Sequence, residues 1–174
     1  MELKRVVVTG MGALTPLGNN VPDYWNGLIN GVSGADMIRQ FDASKFRTKF
    51  ACEIKNFEPT DFLDRKEARK IDRFTQLALV VSDQAMADAG LNKENINPDR
   101  IGVVFASGIG GLITFQHEVT DFARGDGTPR FNPFFIPKMI LDIAAGQISM
   151  LHNLRGPNFA VVSACASSTN AIMD

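Results

Sequence analysis

The 174-residue chain has little cysteine, no long apolar run and almost no net charge, and each shortage excludes something. Two cysteines, Cys52 and Cys165, cannot make a disulfide framework, so both read as thiols in a reducing compartment. No stretch nears the roughly 18 apolar residues of a membrane span. The start carries Glu2 beside Lys4 and Arg5, and Gly10, Gly12 and Pro16 interrupt the apolar run that follows, which makes a poor secretory signal. The expectation is a cytoplasmic protein without membrane insertion. A formal net charge of −1 gives no global attraction for nucleic acid, so electrostatic recognition must come from a local patch. Repeats and low-complexity segments are missing as well. Cys52 has no partner at metal-ligand spacing and is assigned to packing, and no metal is expected.

What is present suits one sizeable core: 45% hydrophobic and 21% charged residues. The β-branched run at 6–8 predicts a buried strand, residues 21–29 a short helix and residues 50–54 a weaker strand. Asp64-Arg65-Lys66-Glu67 has the form of a capping box, and the apolar period through Ile71, Phe74, Ala78, Val81 and Ala85 predicts one long helix from there to Gly90. A buried strand at 101–106 is followed by the turn Gly108-Ile109-Gly110-Gly111 and a helix from Leu112 to about Arg124. A further helix over about 137–153 presents Ala144-Ala145-Gly146 as a small, closely packing face, with Gly156-Pro157 as its stop. Residues 159–163 close the series as a strand. Strands alternating with helices predict an α/β fold with a largely parallel sheet.

Two patterns carry chemistry. In Ser163-Ala164-Cys165-Ala166-Ser167-Ser168 a cysteine stands on a sharp strand-to-helix turn among small residues, near amide dipoles that favour negative charge, which suits a nucleophile. The same run also suits a small buried cysteine capping a core strand. Lys66, Arg69, Lys70 and Arg73 fall at i, i+3, i+4 and i+7, on one side of the expected helix, as either a solvated face or a docking site. Gly10-Met11-Gly12 is a poor dinucleotide turn, because Thr15 replaces the third glycine and Pro16 follows.

The segment Val161-Val162-Ser163-Ala164-Cys165-Ala166-Ser167-Ser168, with Leu154-Arg155-Gly156-Pro157 before it, resembles the active-site segment of β-ketoacyl-acyl-carrier-protein synthases, the condensing enzymes of fatty acid elongation. The run from Arg5 to Gly18 and Arg69-Lys70-Ile71-Asp72-Arg73-Phe74-Thr75-Gln76 are similar to the same family, so the likeness extends over the whole chain and is strongest to the elongating bacterial type. The resemblance implies a thiolase-like fold of two halves, each a mixed five-stranded sheet layered with helices. Residues 1–174 would be the N-terminal half, ending about nine residues into the helix that begins at the nucleophile. It implies decarboxylative condensation of acyl and malonyl carrier proteins through an acyl-Cys165 intermediate, with the Cys165 amide as one oxyanion donor. The family's histidine pair and lysine belong to the other half. His117 and His152 match neither position and are assigned to surface or packing roles.

By the same resemblance Ile109 limits the depth of the acyl pocket, and Phe135 reaches a homodimer interface to line the partner's pocket. Lys66, Arg69 and Lys70, with Arg130, dock an acidic acyl carrier protein. No cofactor is implied beyond the phosphopantetheine arm that the carrier brings. The rival expectation is a catalytically incomplete fragment that only binds a complementary half or the carrier protein.

Overall fold

The computed structural model describes residues 4–174. The single core expected from composition is divided between two compact units, one made of the chain up to Glu58 with Asp83–Gly90, the other of Pro59–Ser82 with Leu91–Asp174.

In the first unit, α1 (Val21–Ile29) has the expected bounds because Asn20 caps it, its side chain accepting the Asp23 amide at 2.8 Å, and proline sits in its first turn. β1 (Asp36–Met37) and β2 (Phe50–Ala51) form a two-residue antiparallel pair, with Asp36 opposite Ala51. The strand expected at 50–54 is therefore shorter than predicted. The buried strand expected at 6–8 does not form: Val6, Val7 and Val8 are 89%, 59% and 79% exposed. A strand needs a neighbouring backbone to take its amides and carbonyls, and no described strand lies beside this run. Just beyond it, side chains take the amides instead, Asp88 from Met11 and Gln84 from Ala13, each at 2.9 Å. Without that strand, Gly10-Met11-Gly12 lacks the context a dinucleotide turn needs.

In the second unit, the long helix predicted from Asp64 is broken. α2 (Arg65–Ala68) is followed by a separate α3 (Arg73–Asp88), of which residues 73–82 belong here. Asp64 caps α2 as expected, accepting from the amides of Lys66 at 2.8 Å and Glu67 at 3.3 Å. Glu67 does not complete the capping box, because it accepts from Lys70 Nζ at 2.6 Å instead. The break follows from a second cap. Asp72 Oδ1 accepts the Phe74 amide at 3.1 Å and its carbonyl takes the Gln76 amide at 3.0 Å, so Asp72 starts α3 rather than continuing α2. Gln76 Nε2 satisfies the freed carbonyl of Ala68 at 2.9 Å.

The rest of this unit runs β3 (Val103–Ala106), α4 (Leu112–Arg124), α5 (Phe135–Met139), α6 (Ile143–His152), β4 (Asn158–Val161) and α7 (Ser167–Met173). β3 and β4 are parallel, Val103 opposite Asn158 through Ala106 opposite Val161, and α4 to α6 make the crossover that parallel strands require. The helix expected at about 137–153 is two helices, because the Met139 carbonyl accepts the Gly111 amide at 3.0 Å from the loop before α4. α6 stops before Gly156-Pro157, where Asn153 adopts the left-handed conformation at φ 56°. Fully buried Ala144 and Ala145 of α6 set Ile148 against Ala78, Leu79 and Val103, and this is the core on which β3 and β4 rest. The α/β class stands. Where five strands in one mixed sheet were expected, the described residues hold four short strands in two separate pairs. No described helix is long and apolar enough to cross a membrane.

Candidate functional site

Where β4 ends, the chain turns sharply. Ala164 sits at φ 49°, in the left-handed region that an L-residue with a Cβ enters at a cost of about 1–2 kcal/mol. A 3-10 turn over Ala164–Ala166 then leads into α7. This bend carries Cys165 outward, where it is exposed, so the buried capping cysteine does not describe it. The first closed bond of the turn is Ala166 N–H to Ser163 O at 3.0 Å. The amide of Cys165 lies ahead of that bond, among the orphan donors of a helix start, which is the placement an oxyanion donor needs.

The turn is held by a serine that sequence reading treated only as a small neighbour. Ser167 is 5% exposed, and its Oγ accepts the Ser163 amide at 2.8 Å while donating to the Ala164 carbonyl at 2.7 Å. Asn170 Nδ2 adds a bond to Ser163 Oγ at 2.7 Å. The available signal was a serine at the start of a helix, where short hydroxyls capture free backbone groups. Ser167→Ala removes both bonds, so a loss of about 1–3 kcal/mol is expected in urea unfolding, with slower chemistry at Cys165. Unchanged stability would contradict this role.

A cleft of about 730 Å³ lies nearby in the chain, lined by Ile109, by Leu112 and Phe115 of α4, by the α5–α6 linker and by Phe159, Ala160 and Val162. Ile109 is among the lining residues and is 66% exposed. Cys165 is not among the lining residues, although Val162 lies three positions before it. The loop carrying Ile109 is pinned to the linker. Gly110 is at φ 82°, and a Cβ there would stand 2.4 Å from the Met139 carbonyl oxygen, so only glycine fits. Phe135 does not line the cleft, and stacks between Phe115 and Phe131 with ring centroids 6.2 Å and 5.7 Å away.

The basic residues do not share one helix, because the break at Asp72 separates Lys66 from Arg73. Lys66 and Arg69 are exposed on and just after α2, and the half-buried Lys70 is tied to Glu67. Arg130 lies in a different segment and pairs with Asp126 at 3.5 Å. The Thr128 backbone amide, donating at 2.9 Å, holds the Asp126 carboxyl below its usual range. His117 is exposed on α4. His152 ends α6 half-buried, its Nε2 3.5 Å from Ser82 Oγ. Neither histidine lines the cleft. Cys52, expected to pack, is exposed one residue beyond the end of β2.

Residues 3–174 match the family model described as Beta-ketoacyl synthase, N-terminal domain. The chain is 46% identical over 174 residues to the 3-oxoacyl-acyl-carrier-protein synthase 2 of Synechocystis sp., covering all of this chain and 42% of that protein. A β-ketoacyl synthase from Burkholderia phymatum has the same fold, with a TM-score of 0.78 at 26% identity over 98% of this chain and 42% of that one. A ketosynthase solved in complex with its type II polyketide acyl-carrier protein shares the fold at 22% identity and a TM-score of 0.78, over 98% of this chain and 45% of that one. The chain therefore spans well under half the length of the relatives it matches.

Proposed function

This chain belongs to the β-ketoacyl synthase family through its N-terminal domain, and we propose on that footing that it supplies the nucleophile half of a 3-oxoacyl-acyl-carrier-protein synthase of fatty acid biosynthesis. The observation that carries the reading is the exposed Cys165 on a left-handed strand-to-helix turn, directly after a parallel core strand. The Cys165 sulfur attacks the thioester carbonyl of an acyl carrier protein, and the tetrahedral oxyanion is met by the Cys165 amide. Collapse expels the carrier's phosphopantetheine thiol and leaves an acyl-cysteine. Loss of carbon dioxide from a malonyl carrier protein then yields a carbanion that attacks this acyl group, freeing the cysteine and giving a 3-oxoacyl chain two carbons longer. By the family resemblance, the groups that assist decarboxylation belong to the other half of such a synthase.

Cleft size and lining support an acyl chain as the occupant, and the family resemblance assigns Ile109 to limiting its depth. The exposed Lys66 and Arg69 support docking of an acidic carrier, with Lys70 beside them paired to Glu67. The carrier-bound ketosynthase that shares this fold is consistent with such a partner. Homodimerisation belongs to the same reading, with the half-exposed row Phe115, Phe135 and Phe131 as its aromatic face. The test is direct: a full-length synthase carrying this domain, given acyl and malonyl carrier proteins, forms the 3-oxoacyl product with release of carbon dioxide. A protein that binds carrier yet never accepts an acyl group supports the binding-only alternative.

Reversing charge at Lys66 and Arg69 is expected to raise KM for the carrier-borne substrate about tenfold or more, because lost charge complementarity acts on docking. Small acyl thioesters, which do not dock, should react at nearly the original rate. Equal damage to both substrates would indicate a folding defect instead.

A further inference from the structure

One buried carboxylate joins the basic segment to the wall of the cleft. Asp72 is 8% exposed, and its two oxygens face different elements. Oδ1 accepts the Phe74 amide at 3.1 Å and starts α3. Oδ2 accepts the hydroxyl of half-buried Thr114 in the first turn of α4. Arg69 and Lys70 lie within three residues of Asp72, while Leu112 and Phe115, which line the cleft, flank Thr114. The threonine hydroxyl is not a cap for its own helix: α4 begins at Gly111 without a side-chain cap. What the hydroxyl adds is a bond to another element, and a bond to an ionised oxygen is stronger than one between neutral groups.

We propose that Asp72 and Thr114 form a positioning link that holds the basic docking segment in register with the cleft wall, so that a docked carrier protein presents its thioester in line with Cys165. This rests on the carrier-dependent acylation proposed above. Neither residue touches the reacting atoms. A pre-set spacing between docking surface and cleft matters only for a substrate that arrives on a carrier, because the reach of the carrier's arm is fixed while a small thioester diffuses in unaided.

The experiment follows acylation of Cys165 in the full-length synthase with two donors, acyl carrier protein and acyl-pantetheine. Thr114→Val cuts the link and leaves the Asp72 cap on α3 in place. It is expected to lower kcat/KM about five- to tenfold with the carrier donor, and less than about twofold with acyl-pantetheine. Thr114→Ser, which keeps the hydroxyl, should restore the wild-type ratio between donors. In a Lys66→Glu, Arg69→Glu background, Thr114→Val should add little, since a link to a surface no longer used has nothing to transmit. Equal losses with both donors, no loss with either, or full additivity with the charge reversals overturns the link while leaving the acylation reading intact. A wild-type protein acylated by neither donor overturns that reading and this inference together.

Discussion

Cys165→Ala is expected to lower acylation by carrier-borne thioesters at least about a thousandfold, the scale of effect seen when an enzyme loses its nucleophile. Exposure alone does not single out this residue, because Cys52 is exposed too. The difference lies in what surrounds each thiol. Cys52 follows a two-residue strand, and the described residues give it no ordered turn to direct it. Cys165 is carried by a left-handed residue, its turn is held by Ser167 and Asn170, and its own amide stands ahead of the first closed helical bond. On the proposed reading, attack and oxyanion stabilisation begin from one residue. The companion Cys52→Ala should retain acylation, and stopped-flow or quenched-flow measurement of thiol release would check both. Residual acylation near the wild-type rate in Cys165→Ala would remove the nucleophile from the account.

The 174 residues alone are expected to give no measurable condensation, even where Cys165 accepts an acyl group. Forming the carbanion needs donors set against a developing enolate. The sequence contains two histidines, and His117 is exposed on α4 while His152 sits at the end of α6 beside Ser82. Neither lines the cleft. Purified chain of confirmed mass, assayed with acyl and malonyl carrier proteins, checks this. Activity that appears only on adding a separately expressed second half supports a divided machinery. Turnover by the chain alone, lost in Cys165→Ala, would show that another group here performs the decarboxylation.

How far the sequence could be read depended on whether structure was decided locally. α1 runs as expected because the Asn20 cap belongs to its own segment, and α4 keeps the expected bounds. The strand before Cys165 and the small-residue turn were legible for the same reason. The break at Asp72 was not, since an aspartate inside an apolar helical period gives no sign that its side chain will cap a new helix and take a hydroxyl from α4. The α5–α6 interruption likewise depends on the Gly111 amide reaching the Met139 carbonyl from a distant loop. Residues 6–8 have the β-branched composition of a strand, but strand formation is a property of pairs. At the site, the position of Cys165 was readable and the support from Ser167 was not, because hydrogen bonds across a turn leave only a serine in the sequence. The single helical face expected for the basic residues does not form for a geometric reason: their spacing assumed a continuous helix.

The most direct measurement incubates the full-length synthase with an acyl carrier protein thioester, quenches before condensation and maps the adduct by peptide mass spectrometry. The predicted result is a single acyl group on the peptide containing Cys165, absent from Cys165→Ala. Acylation on Cys52, or an undiminished adduct in Cys165→Ala, would contradict the account.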